Sequence, residues 1–235
     1  MTHSRESFTV TLLENLRKRS NTMHGKDASP MSEKKGVLAV SGDELANRAR
    51  ENMLRVADAA WETRMTLLTP NVLQHILCSW YDLGHRGLQT IHKEDNDDIL
   101  LDAKTLDQRT GVLHPTNPRY RRWQTAYSDH SPAPTHLGLW MDVFCAELIM
   151  RLARLRPHDN AQLAHFLAWA DYEMDWVGHL WNDGCGRLST VLVCWLALRI
   201  PGASLPVFGS REEHYGEKKS FERHVEYFRR CLSHK

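Results

Sequence analysis

The chemistry in this chain is concentrated in nine residues, His179-Leu180-Trp181-Asn182-Asp183-Gly184-Cys185-Gly186-Arg187. His179 carries an imidazole that can take a proton from an incoming hydroxyl. Asp183 supplies a carboxylate of the kind that holds Mg²⁺ beside phosphate oxygens. Gly184 and Gly186 permit backbone dihedrals that let successive N–H groups converge on an anion. Arg187 adds a planar fork suited to a second phosphate. The apolar run Leu188 to Ile200 reads as a buried helix, so the glycine turn feeds a helix N-terminus, where unpaired N–H groups and the helix dipole both favour anions. The combination suits attack by a hydroxyl on a Mg²⁺-bound phosphoanhydride.

Each residue also has a plainer role. A Gly-x-Gly often marks only a tight turn, His179 alone can cap or pack a helix, and Asp183 alone can serve as an N-cap. Their co-occurrence at one helix-to-helix turn favours the joint reading. Cys185, near a helix N-terminus and Arg187, has the setting of a low-pKa nucleophile that iodoacetamide would reach quickly. Isolated cysteines are more often structural. A zinc site from His179, Asp183 and Cys185 lacks a source for its remaining ligand.

Helices must position this turn. Leu45, Ala49, Met53, Val56 and Ala60 recur at helical spacing behind a capping box at Ser41–Glu44. Thr69-Pro70 opens a second helix as N-cap and first-turn proline, and Gly84 closes it. Leu137, Trp140, Met141, Phe144, Leu148, Leu152 and Leu155 trace a third stripe that stops before Pro157. Asp159 or Asn160 caps the helix that delivers His179 at its C-terminal end. Ser210-Arg211-Glu212-Glu213 is a second capping-box pattern, and Phe221, Val225, Phe228 and Leu232 form a last amphipathic helix. The acidic run Glu94-Asp95-Asn96-Asp97-Asp98 does not match a calcium loop and reads as a solvated loop. Arg119 to Tyr127 is short, basic and aromatic, in keeping with a β-hairpin or extended edge near the site. The fold class expected is mostly α.

The chain has 235 residues, 42% hydrophobic and 25% charged, with eight tryptophans that suit a helical core of large side chains. A formal charge of +1 gives no polyelectrolyte footprint, so no nucleic-acid partner is implied. The five cysteines show no paired spacing, which favours a reducing compartment. No run approaches the roughly 20 apolar residues of a membrane span. The localisation expected is cytoplasmic. Residues 1–40 are polar; Phe8 to Leu16 has the makings of a short helix, but the segment reads mostly as a flexible tail, with residues 41–235 as the domain. A tail of this kind is compatible with export by a specialised secretion system, although an unstructured leader is the simpler account.

The nine residues and their flanks resemble the Fic-domain motif, HPFx[DE]GNGRxxR in one-letter code. His179 matches its histidine, Asp183 its acidic residue, Gly184 and Gly186 its glycines, and Arg187 its first arginine. Trp181 stands for the aromatic that anchors the motif loop in the core. Tyr120-Arg121 and Ser131-Pro132-Ala133-Pro134 resemble the family's flap and its exit, and Pro206-Val207-Phe208 with Arg211 to Tyr215 resembles the segment that follows the motif helix. The resemblance implies a Fic-like helical bundle with a short β-hairpin flap. It also implies an enzyme that moves AMP, or another phosphate-containing group, from a Mg²⁺-bound nucleotide such as ATP to a Ser, Thr or Tyr hydroxyl of a protein. His179 would be the base and Asp183 the metal ligand. Gly184, Cys185 and Gly186 would form the anion hole, Arg187 would clamp a donor phosphate, and the target protein would lie at the flap near Arg119–Tyr127.

Three departures shape this expectation. Leu180 replaces proline. Cys185 replaces the asparagine whose amide helps hold donor phosphates. Thr190 replaces the second arginine, so a charge-assisted bond worth about 1.5–3 kcal/mol is missing. An altered donor preference follows, extending to other nucleotides or a diphosphate donor such as CDP-choline. The contrasting reading is a catalytically weak or inactive Fic-like domain that binds protein or nucleotide. No intact [ST]xxxE[GN] inhibitory motif is present, so self-inhibition by that route is not expected.

Overall fold

The computed structural model describes residues 3–20, 42–86, 91–94, 97–100, 120–121, 128–156, 158–181, 184–218 and 220–233. Most described residues are helical. The helices are α1 (Arg5–Arg19), α2 (Gly42–Thr63), α3 (Pro70–Gly84), α4 (Leu137–Ala153), α5 (Asn160–Asp171), α6 (Cys185–Arg199), α7 (Arg211–Glu217) and α8 (Phe221–Ser233). A 3₁₀ turn, Pro134–His136, leads into α4, and a π-helical segment, Tyr172–Gly178, continues α5. Two short antiparallel strands, β1 (Ile91–Glu94) and β2 (Asp97–Leu100), pair with Ile91 opposite Leu100.

Helix α6 is the axis of the bundle. It touches α1, α2, α3, α5 and the π segment. Its residues from Leu188 through Ala197 are all buried, as an all-round apolar helix must be. Trp195 stands edge-on to Trp80 of α3 at 5.3 Å, joining two helices through their largest side chains. The start signals read from sequence operate locally. Thr69 accepts from the Val72 N–H ahead of Pro70, Asp159 accepts from the Gln162 N–H, and Ser210 accepts from the Glu213 N–H. The Ser41–Glu44 box lies outside the residues whose side chains are described.

Two features differ from the sequence reading. Residues 5–19, expected within a flexible tail, form a helix capped reciprocally by Ser4 and Ser7. Phe8, Leu12 and Leu16 lie on one face of α1, all fully buried in the same core as α6. The buried stripe continues through Asn15 and Arg19, whose polarity disguised it. Asn15 earns its place by hydrogen bonding: its amide donates to the Pro206 carbonyl, and its Oδ1 accepts from the Phe208 N–H. The acidic run also differs from a loop throughout: Glu94 ends β1, and Asp97 and Asp98 open β2 opposite Glu94 and Lys93.

Candidate active site at the His179–Arg187 turn

The π segment ends at Gly178, and His179 reverses the chain in a left-handed conformation with φ 38° and ψ 54°. That conformation is unfavourable for a residue with a Cβ, so contacts must hold it. The His179 Nδ1 lies 2.9 Å from the Asp175 carbonyl. A carbonyl can only accept, so Nδ1 is the donor of this pair. Arg121 holds the same turn from across the chain. Its Nε donates to the His179 carbonyl at 2.8 Å and its Nη2 to the Pro132 and Gly178 carbonyls. The Arg121 N–H also donates to the Leu180 carbonyl, and Tyr120 bridges to Trp181 in antiparallel fashion. Trp181 is fully buried, stacked on Tyr81 at 4.7 Å and tilted against Tyr120 at 5.4 Å.

Gly184 takes up φ +80° and caps the start of α6. A Cβ there would stand 2.5 Å from the imidazole of His85, so both the dihedral and the space demand glycine. A Cβ at Gly186 would stand 2.6 Å from the Tyr215 hydroxyl. Between them, Cys185 turns inward. It is 2% exposed, and its Sγ lies 3.4 Å from both the N and the O of Trp181. The Cys185 side chain therefore closes the loop on itself, against its reading as an accessible nucleophile. Arg187 is nearly buried, and its Nη2 donates to His85 Nε2 at 2.9 Å.

Thr190 is fully buried. Its hydroxyl donates to the Gly186 carbonyl and accepts from Arg19 Nη1, both at 2.7 Å. Arg19 belongs to a buried charge network behind the turn. Its guanidinium pairs with Asp171 at 2.9 Å and Asp175 at 3.3 Å. The Lys218 ammonium pairs with Asp175 at 2.6 Å and Asp171 at 2.8 Å. Asp171 also accepts from the Ser189 hydroxyl at 2.6 Å and meets His224 at 2.9 Å. Burial alone would raise both carboxyl pKa values; Arg19 and Lys218 override it and hold them below the usual range. Burial, reinforced by those cations, keeps His214 and His224 neutral. Asp171, His214 and His224 offer ligand atoms within 4.8 Å of one another. The two cations already neutralise the carboxylates, and a metal would add charge to a buried network that balances without it.

The structure thus brings His179, Gly184, Cys185, Gly186 and Arg187 to one turn, with the Cys185 thiol turned onto the Trp181 backbone. Asp183, read as a Mg²⁺ ligand, lies outside the described residues, as does the stretch Arg119–Tyr127 except for Tyr120 and Arg121. Sequence reasoning missed Arg19, His85, Asp171, Asp175 and Lys218. Asp171, Asp175 and His179 stand four residues apart in succession, a spacing that could have flagged one acidic helix face leading to His179. No equivalent signal marks Arg19 or His85, which meet the turn only through the fold. No family model and no curated protein matches the chain. No helix among the described residues is long and apolar enough to cross a membrane.

Proposed function

We propose that the His179–Arg187 turn is the active site of a Fic-type transferase, which moves a nucleotidyl or other phosphate-containing group from a donor to a protein hydroxyl. The observation that carries this reading is the state of His179. Its Nδ1–H donates to the Asp175 carbonyl, which selects the tautomer whose basic nitrogen is Nε2. In the proposed step the target hydroxyl oxygen attacks a donor phosphorus as its proton passes to His179 Nε2. The bond from that phosphorus to the leaving phosphate oxygen breaks, and the leaving phosphate departs with the bonding pair. The N–H groups at the start of α6 face the departing charge with the helix dipole behind them. Arg187 offers a guanidinium to a donor phosphate. The fold expected from the resemblance, a helical bundle with a flap that holds the target in extended form, belongs to this proposal. Tyr120 bridged to Trp181 is the part of that flap that supports it.

A hard carboxylate oxygen at Asp183 is the donor type Mg²⁺ favours, and the ion would supply charge neutralisation to the donor phosphates. The preference among donors is proposed to differ from that of an ATP user. Thr190 commits its hydroxyl inside the core, and the charge of the Arg19 guanidinium against it is neutralised by Asp171 and Asp175. The inward turn of Cys185 favours a second reading, a binding module that has lost catalysis.

Incubation with target lysate and labelled ATP, CTP, UTP, GTP and CDP-choline, for wild type and His179→Ala, separates the two. Label that depends on His179 is expected from at least one donor. Nucleotide binding with no such label would establish the binding module instead.

A further inference from the structure

We infer that His85, the residue that ends α3, is a positioning residue for the donor site: it accepts from Arg187 and fixes that guanidinium against the Gly184 turn. The inference rests on the transferase reading of the same turn. The His85 Nδ1 lies 2.9 Å from the Tyr81 carbonyl, so this nitrogen is the donor and Nε2 is the acceptor. Arg187 can only donate, and its Nη2 reaches His85 Nε2 at 2.9 Å. The two assignments agree, and they fix the ring's tautomer from both ends.

His85 is itself held in place. Its ring stacks on Tyr81 at 4.2 Å, and Tyr81 stacks on Trp181 of the motif loop at 4.7 Å. The contacts form a closed circuit, from Trp181 through Tyr81 and His85 to Arg187 and back to the loop. The ring also occupies the space beside Gly184: a Cβ there would meet His85 Cε1 and Nε2 at 2.5 Å and Arg187 Nη2 at 3.0 Å. Imidazole, guanidinium and the left-handed glycine therefore converge at one point. A long arginine side chain loses rotamer freedom when fixed. A guanidinium already tethered on one edge has lost that freedom before the donor arrives, which strengthens binding without a new contact. The simpler account, that His85 only finishes α3, predicts an effect on stability and none on the donor.

The test compares His85→Phe with His85→Gln in the full chain, using the donor in the panel above that gives label. Phenylalanine keeps the stack on Tyr81 and removes the acceptor; glutamine keeps an acceptor at similar reach. For His85→Phe the donor KM is expected to rise about tenfold with kcat nearly unchanged, and His85→Gln should recover most of that loss. An unchanged donor KM in His85→Phe overturns the inference, as does equal loss in both variants tracking a fallen melting temperature. Should no donor give His179-dependent label, the transferase reading fails, and calorimetric binding of Mg²⁺-ATP and CDP-choline decides His85 separately. The same contrast between the Phe and Gln variants would then be expected in Kd, and its absence, or no binding at all, overturns the inference.

Discussion

Arg19, at the C-terminal end of the first helix, donates to the Thr190 hydroxyl at 2.7 Å, so a residue 171 positions away in sequence reaches under the His179–Arg187 turn. The same guanidinium neutralises Asp171 and Asp175, and the Asp175 carbonyl orients His179. Removing Arg19 leaves two buried carboxylates with Lys218 as their main cation. Arg19→Leu is expected to cost about 3–5 kcal/mol, the range for breaking a buried pair from one side. Arg19→Lys should recover part of it. Urea denaturation measures both, and a loss below about 1 kcal/mol for the leucine variant would mean the carboxylates find other partners.

Cys185 gives a chemical check on the same turn. Its thiol is buried against the Trp181 backbone, whereas Cys78 on α3 is only partly buried. Cys145, Cys194 and Cys231 are buried, and burial pushes each thiol up, Cys194 to about 12 and Cys231 to about 11. Iodoacetamide at neutral pH should therefore modify Cys78 first and spare Cys185 in the folded protein. Peptide mapping after brief labelling decides it. Rapid modification of Cys185 would restore its reading as a nucleophile.

Sequence pattern carried the helices where apolar periodicity was strong. Thr69-Pro70 to Gly84 and Cys185 to Arg199 are examples, because their apolar faces and caps act through neighbours in the chain. It did not carry α1, since a stripe of Phe8, Leu12, Asn15, Leu16 and Arg19 looks amphipathic only once Pro206, Phe208 and Asp171 are known to face it. The site divides the same way. His179, Gly184, Gly186 and Arg187 are contiguous and legible as types at a spacing. The groups that orient them, Arg121, His85, Arg19 and Lys218, come from four separate places. Nothing local to any of them records the partner.

Gly184 should tolerate no side chain. At φ +80° an alanine is strained by about 1–2 kcal/mol, and its Cβ would displace the His85 ring from Arg187. Gly184→Ala is therefore expected to lower the melting temperature modestly and to weaken donor binding more than the stability loss explains. Calorimetric titration with Mg²⁺-ATP or CDP-choline alongside thermal unfolding gives both numbers. Loss of stability with unaltered binding would separate the turn's conformation from its use.

Acid should loosen the bundle from within. His214 and His224 are kept neutral chiefly by burial, so the folded protein does not take up their protons near the ordinary histidine pKa of 6.5. The unfolded chain does. As pH falls through 6.5 the unfolded state binds up to two more protons than the folded one, and stability falls by at most about 2.7 kcal/mol per pH unit. Asp171 and Asp175 act lower on the scale. Their pKa values are depressed below 3.8, so the stability they contribute is present above that value and is lost as pH falls through the folded values. Burial pushes the Glu173 carboxyl up to about 7, so the folded protein takes up that proton and opposes the histidines. Urea denaturation of Glu173→Gln between pH 7.5 and 5 should show the histidine part, with the slope reduced by about one proton when His214→Gln is added. A flat profile over that range would mean that the folded protein accepts the protons and that the Asp171 network reorganises around them.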